Sequence, residues 1–90
     1  MKLYWLASAL RDRRAIFNHI AQDRPAAAAA LDKRFVAVAE ILTRHPEMGR
    51  QGIVSGTREV IPHPNYRMVY EVEADVVRIM AIVHTSRLWP

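Results

Sequence analysis

A small α+β domain is what this sequence predicts, in the order β-α-α-β-β-β, with a helix hairpin packed on a small, mainly antiparallel sheet. Three observations carry it. Apolar residues recur at helical spacing through two stretches that Arg24-Pro25 separates. Three short runs rich in β-branched and aromatic residues follow, divided by turn residues. Ninety residues bury roughly 60–65% of the surface of the unfolded chain, enough for one core and too little for two. Residues 1–90 are therefore expected to form a single domain.

The first element, Lys2 to Leu6, is apolar and aromatic and reads as a strand. It should join the sheet beside the last strand or at another edge. Ser8 then suits the N-cap of a helix, with Asp12 early enough to favour its dipole. Leu10, Ile16, Phe17, Ile20 and Ala21 follow at helical spacing. Arg13 falls on that apolar face and weakens it, so either the helix rolls or Arg13 snorkels. Pro25 fits the first turn of a second helix, which Ala26 to Ala30 propagate. Leu31, Phe35, Val38 and Leu42 form its stripe, with Ala39 and Ile41 alongside, until Thr43-Arg44-His45-Pro46 ends it. Few residues join the helices, so they should lie antiparallel.

Pro46 to Gly56 holds all three glycines and reads as loop. Strands are predicted at Thr57 to Ile61, Tyr66 to Glu73 and Val76 to Val83, with turns at 62–65 and 74–75. Such short connections make an antiparallel meander. Strict alternation places Val77, Ile79, Ala81 and Val83 on one face and Val76, Arg78, Met80, Ile82 and His84 on the other. Tyr66, Met68, Tyr70 and Val72 share a face opposite Arg67, Val69, Glu71 and Glu73. With the apolar faces under the helices, the outer face carries Arg67, Glu71, Arg78 and His84 among aliphatics. A mixed face of this kind is either solvated or covered by a partner.

The composition narrows function by exclusion. No apolar run reaches the length of a membrane span, and the start has no signal-peptide pattern, so a cytoplasmic protein without membrane contact is expected. Zero cysteines remove disulfides, thiolate nucleophiles and cysteine-ligated metals. The four histidines make no metal-ligand set, and neither a metal nor another cofactor is expected. No nucleophile elbow, phosphate loop or dinucleotide fingerprint is present. The net charge is +4, and of thirteen basic residues all but Lys2 and Lys33 are arginine. Arginine suits bidentate phosphate or carboxylate recognition, so nucleic acid or an acidic protein are the partners to weigh. One chemistry stays open. RNA cleavage by a 2′-hydroxyl needs a proton acceptor, a donor and a cation on the phosphate. His84 with Arg58, Arg67 and Arg87 would supply the parts.

The order of motifs is more specific. His45-Pro46-Glu47-Met48-Gly49-Arg50 follows the second helix, then Gly56-Thr57-Arg58-Glu59-Val60. His63-Pro64-Asn65-Tyr66 leads into Val69-Tyr70-Glu71-Val72, and Val83-His84 precedes Arg87, Trp89 and Pro90. In the first half Trp5, Ala9, Asp12, Ile16 and Ile20-Ala21 complete the pattern. Taken in order, these motifs resemble the RelE/ParE superfamily of bacterial toxins over nearly the whole chain, and the ParE branch more than the RelE branch.

That resemblance implies the toxin of a type II toxin–antitoxin pair, tied to growth inhibition and plasmid stabilisation. ParE-type toxins poison DNA gyrase and are not themselves enzymes. RelE-type relatives are ribosome-dependent mRNA endonucleases, and direct contact with nucleic acid is expected only for them. A cognate antitoxin, with a C-terminal segment disordered when free, neutralises either kind. A third possibility is a homologue without toxicity that retains antitoxin binding. Nuclease relatives tend to carry a tyrosine or His-Tyr pair near the C-terminus, whereas here Thr85 follows His84 and no tyrosine follows Tyr70. The residues this implies for antitoxin or target binding are Arg58, Arg67, Arg78, His84, Arg87 and Trp89. Structural roles stand beside these: Arg58 pairing with Glu71 or Glu73, His84 bonded to backbone at a strand end, and Trp89-Pro90 as an anchor.

Overall fold

A computed structural model describes residues 1–90. The elements are β1 (Lys2–Trp5), α1 (Ala7–Ala21), α2 (Pro25–Arg44), β2 (Arg50–Gln51), β3 (Thr57–His63), β4 (Tyr66–Glu73) and β5 (Val76–His84). They form one five-stranded sheet in the order β1-β5-β4-β3-β2. β1 lies parallel to β5 at one edge, and every other pairing is antiparallel. The predicted α+β architecture is the observed one, and the first strand takes the place beside the last.

The two helices cover one sheet face. Phe35, Val38, Ala39 and Leu42 of α2 and Ala9 of α1 pack against Val60, Met68, Tyr70, Val77, Ile79 and Ile82. Leu31 is only partly buried at the stripe's start. Pro25 occupies the first turn of α2, where its missing N–H costs nothing. The buried face of α1 is turned from the predicted one: Ala9 is fully buried and Ile16 packs on the core, whereas Leu10 and Phe17 are exposed. Arg13, beside them, does not snorkel into water. Its guanidinium grips Asp32 of α2 through two hydrogen bonds of 3.0 and 2.9 Å and lies 4.6 Å from the centre of the Trp5 ring. A basic residue on an apolar face is thus stabilised by a carboxylate and an aromatic surface together.

Four expectations need correction. Ser8 is not the N-cap. Leu6 holds that position without a side-chain bond, and Ser8 lies inside the helix. Ser8 Oγ donates to the Met80 carbonyl at 2.7 Å, and Asp12 Oδ2 accepts from the Ile82 N–H at 2.9 Å. Pro46 to Gly56 is not all loop, because Arg50 and Gln51 pair with Glu59 and Arg58. β3 also runs through Pro62 to His63, with a register shift between Val60 and His63. An edge strand tolerates the proline because its missing donor faces no partner there.

The fourth correction concerns parity. Val69 is opposite Ala81 while Tyr70 is opposite Ile79, so Met80 is an extra residue in β5. Such a bulge reverses the facing of everything beyond it. Val77 and Ile79 face the helices as alternation predicts, but Ile82 joins them while Ala81 and Val83 turn outward. His84 moves with Ile82 to the helix side, opposite Tyr66. The outer face keeps Arg67, Glu71 and Arg78 and loses His84.

Candidate functional site

Two helix-side clusters and one outer-face row hold the polar side chains that could serve function. The first cluster surrounds Tyr70, which is fully buried on β4. Its hydroxyl donates to the Pro46 carbonyl at 2.7 Å and accepts from the Gly49 N–H at 2.9 Å. The turn after α2 is thereby tied to the sheet. Burial pushes the Tyr70 phenol above its usual pKa, while the Gly49 bond and the nearby Arg58 charge oppose that shift. Arg58 faces Tyr70 across the β3–β4 pair. It reaches neither Glu71 nor Glu73. Its Nη1 donates to the Gly49 carbonyl at 2.7 Å and to that of Glu47 at 3.4 Å.

The second cluster lies at the opposite end of β4. Tyr66 packs edge-on against Phe35 and against the His84 ring, with His63 tilted on its flank. His84 Nδ1 accepts from the Ser86 N–H at 3.1 Å and lies 2.8 Å from Ser86 Oγ. His63 Nδ1 accepts from the Asn65 N–H at 3.1 Å. His84 therefore ends a strand with a ring nitrogen on backbone, as its structural reading supposed. Beside this cluster a groove of about 640 Å³ separates α2 from the β3–β4 turn; His19, Arg24, Arg34, His63 and Tyr66 are among its lining residues.

The outer face presents charge across four strands, β2 to β5. Glu59 of β3 lies between Arg67 Nη1 at 3.5 Å and Arg50 Nη2 at 3.7 Å. The Glu59 and Arg67 side chains are only 4% and 9% exposed. Arg67 Nε and Nη2 are buried without a partner. Further along, Arg78 meets Glu73 at 3.2 Å and Glu71 at 3.9 Å. Both of these are partly exposed pairs of small energetic weight.

The structure thus separates the four candidate catalytic groups. Arg67 faces out, whereas Arg58 and His84 face the helix side. On that side they stand at the levels of Tyr70 and Tyr66, about 13 Å apart along the strand. Arg87 is exposed beyond the end of β5, and Trp89 is half-buried. No group of three or more His, Asp or Glu side chains is assembled in metal-binding geometry. Sequence reasoning passed over Tyr70 as a fastening and Glu59 as a buried acid between two arginines. For Glu59 a signal existed: it is the lone carboxylate of the predicted strand, flanked by Arg58 and Val60.

Comparison with known proteins places these features in context. The family model described as "ParE toxin of type II toxin-antitoxin system, parDE" matches residues 3–89. A curated relative, Toxin RelE2 of Caulobacter vibrioides, is 34% identical over 87 residues, covering 97% of this chain and 98% of the relative. Among solved structures, a chain of the chromosomal ParDE TA system from P. aeruginosa superposes with a TM-score of 0.82 at 23% identity, covering 93% of this chain and 95% of that one. The YoeB/ParE toxin from Agrobacterium tumefaciens gives 0.68 at 17% identity, covering 93% and 98%. At these identities both structures speak to the fold. No helix of this chain is long and apolar enough to cross a membrane.

Proposed function

Since the chain belongs to the ParE toxin family of type II toxin–antitoxin systems, we propose that it arrests growth by binding DNA gyrase and blocking replication, without a catalytic step of its own. The observation that carries this reading is the separation of Arg58, Arg67 and His84 onto two sheet faces and opposite ends of β4. General acid–base cleavage of RNA needs donor, acceptor and phosphate-binding cation within reach of one phosphate. Arg67, nine-tenths buried against Glu59, is poorly placed to receive a substrate. Arg78, His84, Arg87 and Trp89 then serve as contacts to the antitoxin or the target, while Arg58, at the other end of β4, holds the turn after α2 in place.

The family implies a cognate antitoxin. In this reading its C-terminal segment, disordered when free, orders on apolar surface along the helix hairpin and the sheet, with carboxylates meeting arginines. Inducing the toxin in cells while following DNA and protein synthesis separately tests the mechanism. Loss of DNA synthesis, a DNA-damage response and cleaved DNA held on purified gyrase are expected. Prompt loss of translation with cut messages would refute it. That second outcome belongs to a RelE-like ribonuclease using Arg58, Arg67, His84 and Arg87, a reading favoured by the 34% identity to Toxin RelE2. Induction without arrest would mark a non-toxic homologue that only binds antitoxin.

A further inference from the structure

Four of the large apolar side chains most exposed on this molecule fall between positions 48 and 61: Met48 at 50%, Ile53 at 65%, Val54 at 36% and Ile61 at 53%. Scattered exposed aliphatics are ordinary, but concentration in one segment is not. Continuing the Arg50–Glu59 register by two residues brings Met48 opposite Ile61. Both also line a groove of about 480 Å³ between α2 and β3, whose charged lining is Arg34, the exposed Arg50 and its buried partner Glu59. Ile53 and Val54 lie outside that groove, on the turn joining β2 to β3, at the other end of the hairpin from Met48 and Ile61.

The segment is held firmly for a connection this exposed. Thr57 Oγ1 and the Thr57 N–H both donate to the Val54 carbonyl, at 2.6 and 3.1 Å, and the Gly52 N–H donates to the Thr57 carbonyl at 2.8 Å. A Cβ at Gly49 would lie 2.6 Å from the Tyr70 hydroxyl, and one at Gly52 would strike Thr57 Oγ1. Neither position has room for a side chain, so both glycines serve close packing. Shape is preset here before any partner arrives. A preset apolar projection suits a folded partner, because association then spends little entropy on ordering the loop. A disordered segment would still lose its own conformational entropy on ordering against such a surface, and so bind less tightly per unit of area. Strand addition at the β3 edge is disfavoured, because Pro62 lacks a donor and Arg34 Nε occupies the Pro62 carbonyl at 2.9 Å.

We propose that Met48, Ile53, Val54 and Ile61 form the surface by which this chain docks on its folded protein target, through an apolar site bordered by carboxylates that meet Arg34 and Arg50. The inference rests on the reading that the chain acts by binding a protein. Its test compares wild type with a Met48→Ser/Ile61→Ser variant and with an Ile53→Ser/Val54→Ser variant, the latter confined to the turn tip. Growth arrest on induction, pull-down of the cognate antitoxin and thermal melting are measured for each. Arrest should weaken at least about ten-fold, the usual consequence of truncating an interface anchor. Antitoxin capture should stay within about two-fold and melting should be little changed. Undiminished arrest in both variants overturns the proposal. So does loss of antitoxin capture in step with arrest, which would make this the antitoxin's seat, and so does a wild-type chain that arrests nothing. Gyrase supercoiling assays on the same proteins separate the two claims. Wild-type inhibition that the variants retain defeats the docking surface, and arrest without any effect on gyrase defeats the gyrase reading.

Discussion

Tyr70 concentrates several constraints in one side chain. Its ring belongs to the core, and its hydroxyl closes the turn after α2 through Pro46 and Gly49. Replacing it with Phe keeps the ring and leaves the buried Gly49 N–H without an acceptor. The expected loss is about 1–3 kcal/mol, read as a lower midpoint in urea denaturation. The same group should make the fold less stable at alkaline pH. Its folded pKa is raised above the ordinary value by burial. Above about pH 10 the unfolded chain therefore releases a proton that the native chain retains. Stability falls as pH rises from there towards the folded value, by up to about 1.4 kcal/mol per pH unit. Tyr70→Phe should remove this part of the alkaline slope, and denaturation curves at pH 8 and pH 10.5 measure the difference. An unchanged slope would show that other groups set it.

At the scale of elements, the bulge at Met80 decides how α1 meets the sheet. The Met80 carbonyl and Ile82 N–H flank the irregularity, and Ser8 and Asp12, one turn apart on α1, take both. Asp12→Leu should leave the Ile82 N–H unpaired in a partly buried site and cost about 1–3 kcal/mol. Asp12→Asn keeps an acceptor and should recover most of that loss, as urea midpoints for the two variants would show. Equal losses would mean that the charge matters rather than the bond. The bulge also marks where sequence pattern stops being informative. Val76 to Val83 is almost wholly apolar, so a one-residue insertion shifts the faces without disturbing any visible alternation. β4 has polar residues at alternate positions, and its range and both its faces were legible. β2 was not, since two residues between glycines carry no period. Arg58 and His84 could be singled out by type and spacing, but their faces depend on pairing register and on that bulge. The Arg13–Asp32 lock joins two helices 19 positions apart, a contact that no local pattern encodes.

At the scale of the whole molecule, the placing of charge and grooves bears on the proposed protein contacts. Eleven arginines make up most of the thirteen basic residues behind the net charge of +4, and several are already committed: Arg13 to Asp32, Arg67 to Glu59 and Arg58 to loop carbonyls. Arg24 remains exposed on the wall of the larger groove, beside His19 and His63 and with Asp23 as its only carboxylate. An antitoxin segment ordering on such a surface binds the native chain and not the unfolded one, so it must stabilise the fold by mass action. At about one hundred times its dissociation constant the added stability is about 2.7 kcal/mol. For a domain of this size that raises the melting temperature by roughly 10–20 °C. Coupled ordering and burial should also give a markedly negative heat-capacity change in titration calorimetry. Raising the salt concentration should slow association more than it hastens dissociation, because exposed charges steer the encounter. A melting temperature indifferent to antitoxin concentration would rule out selective binding to the folded toxin. A salt-independent association rate would remove the arginines from the recognition step and leave the apolar surface to account for it.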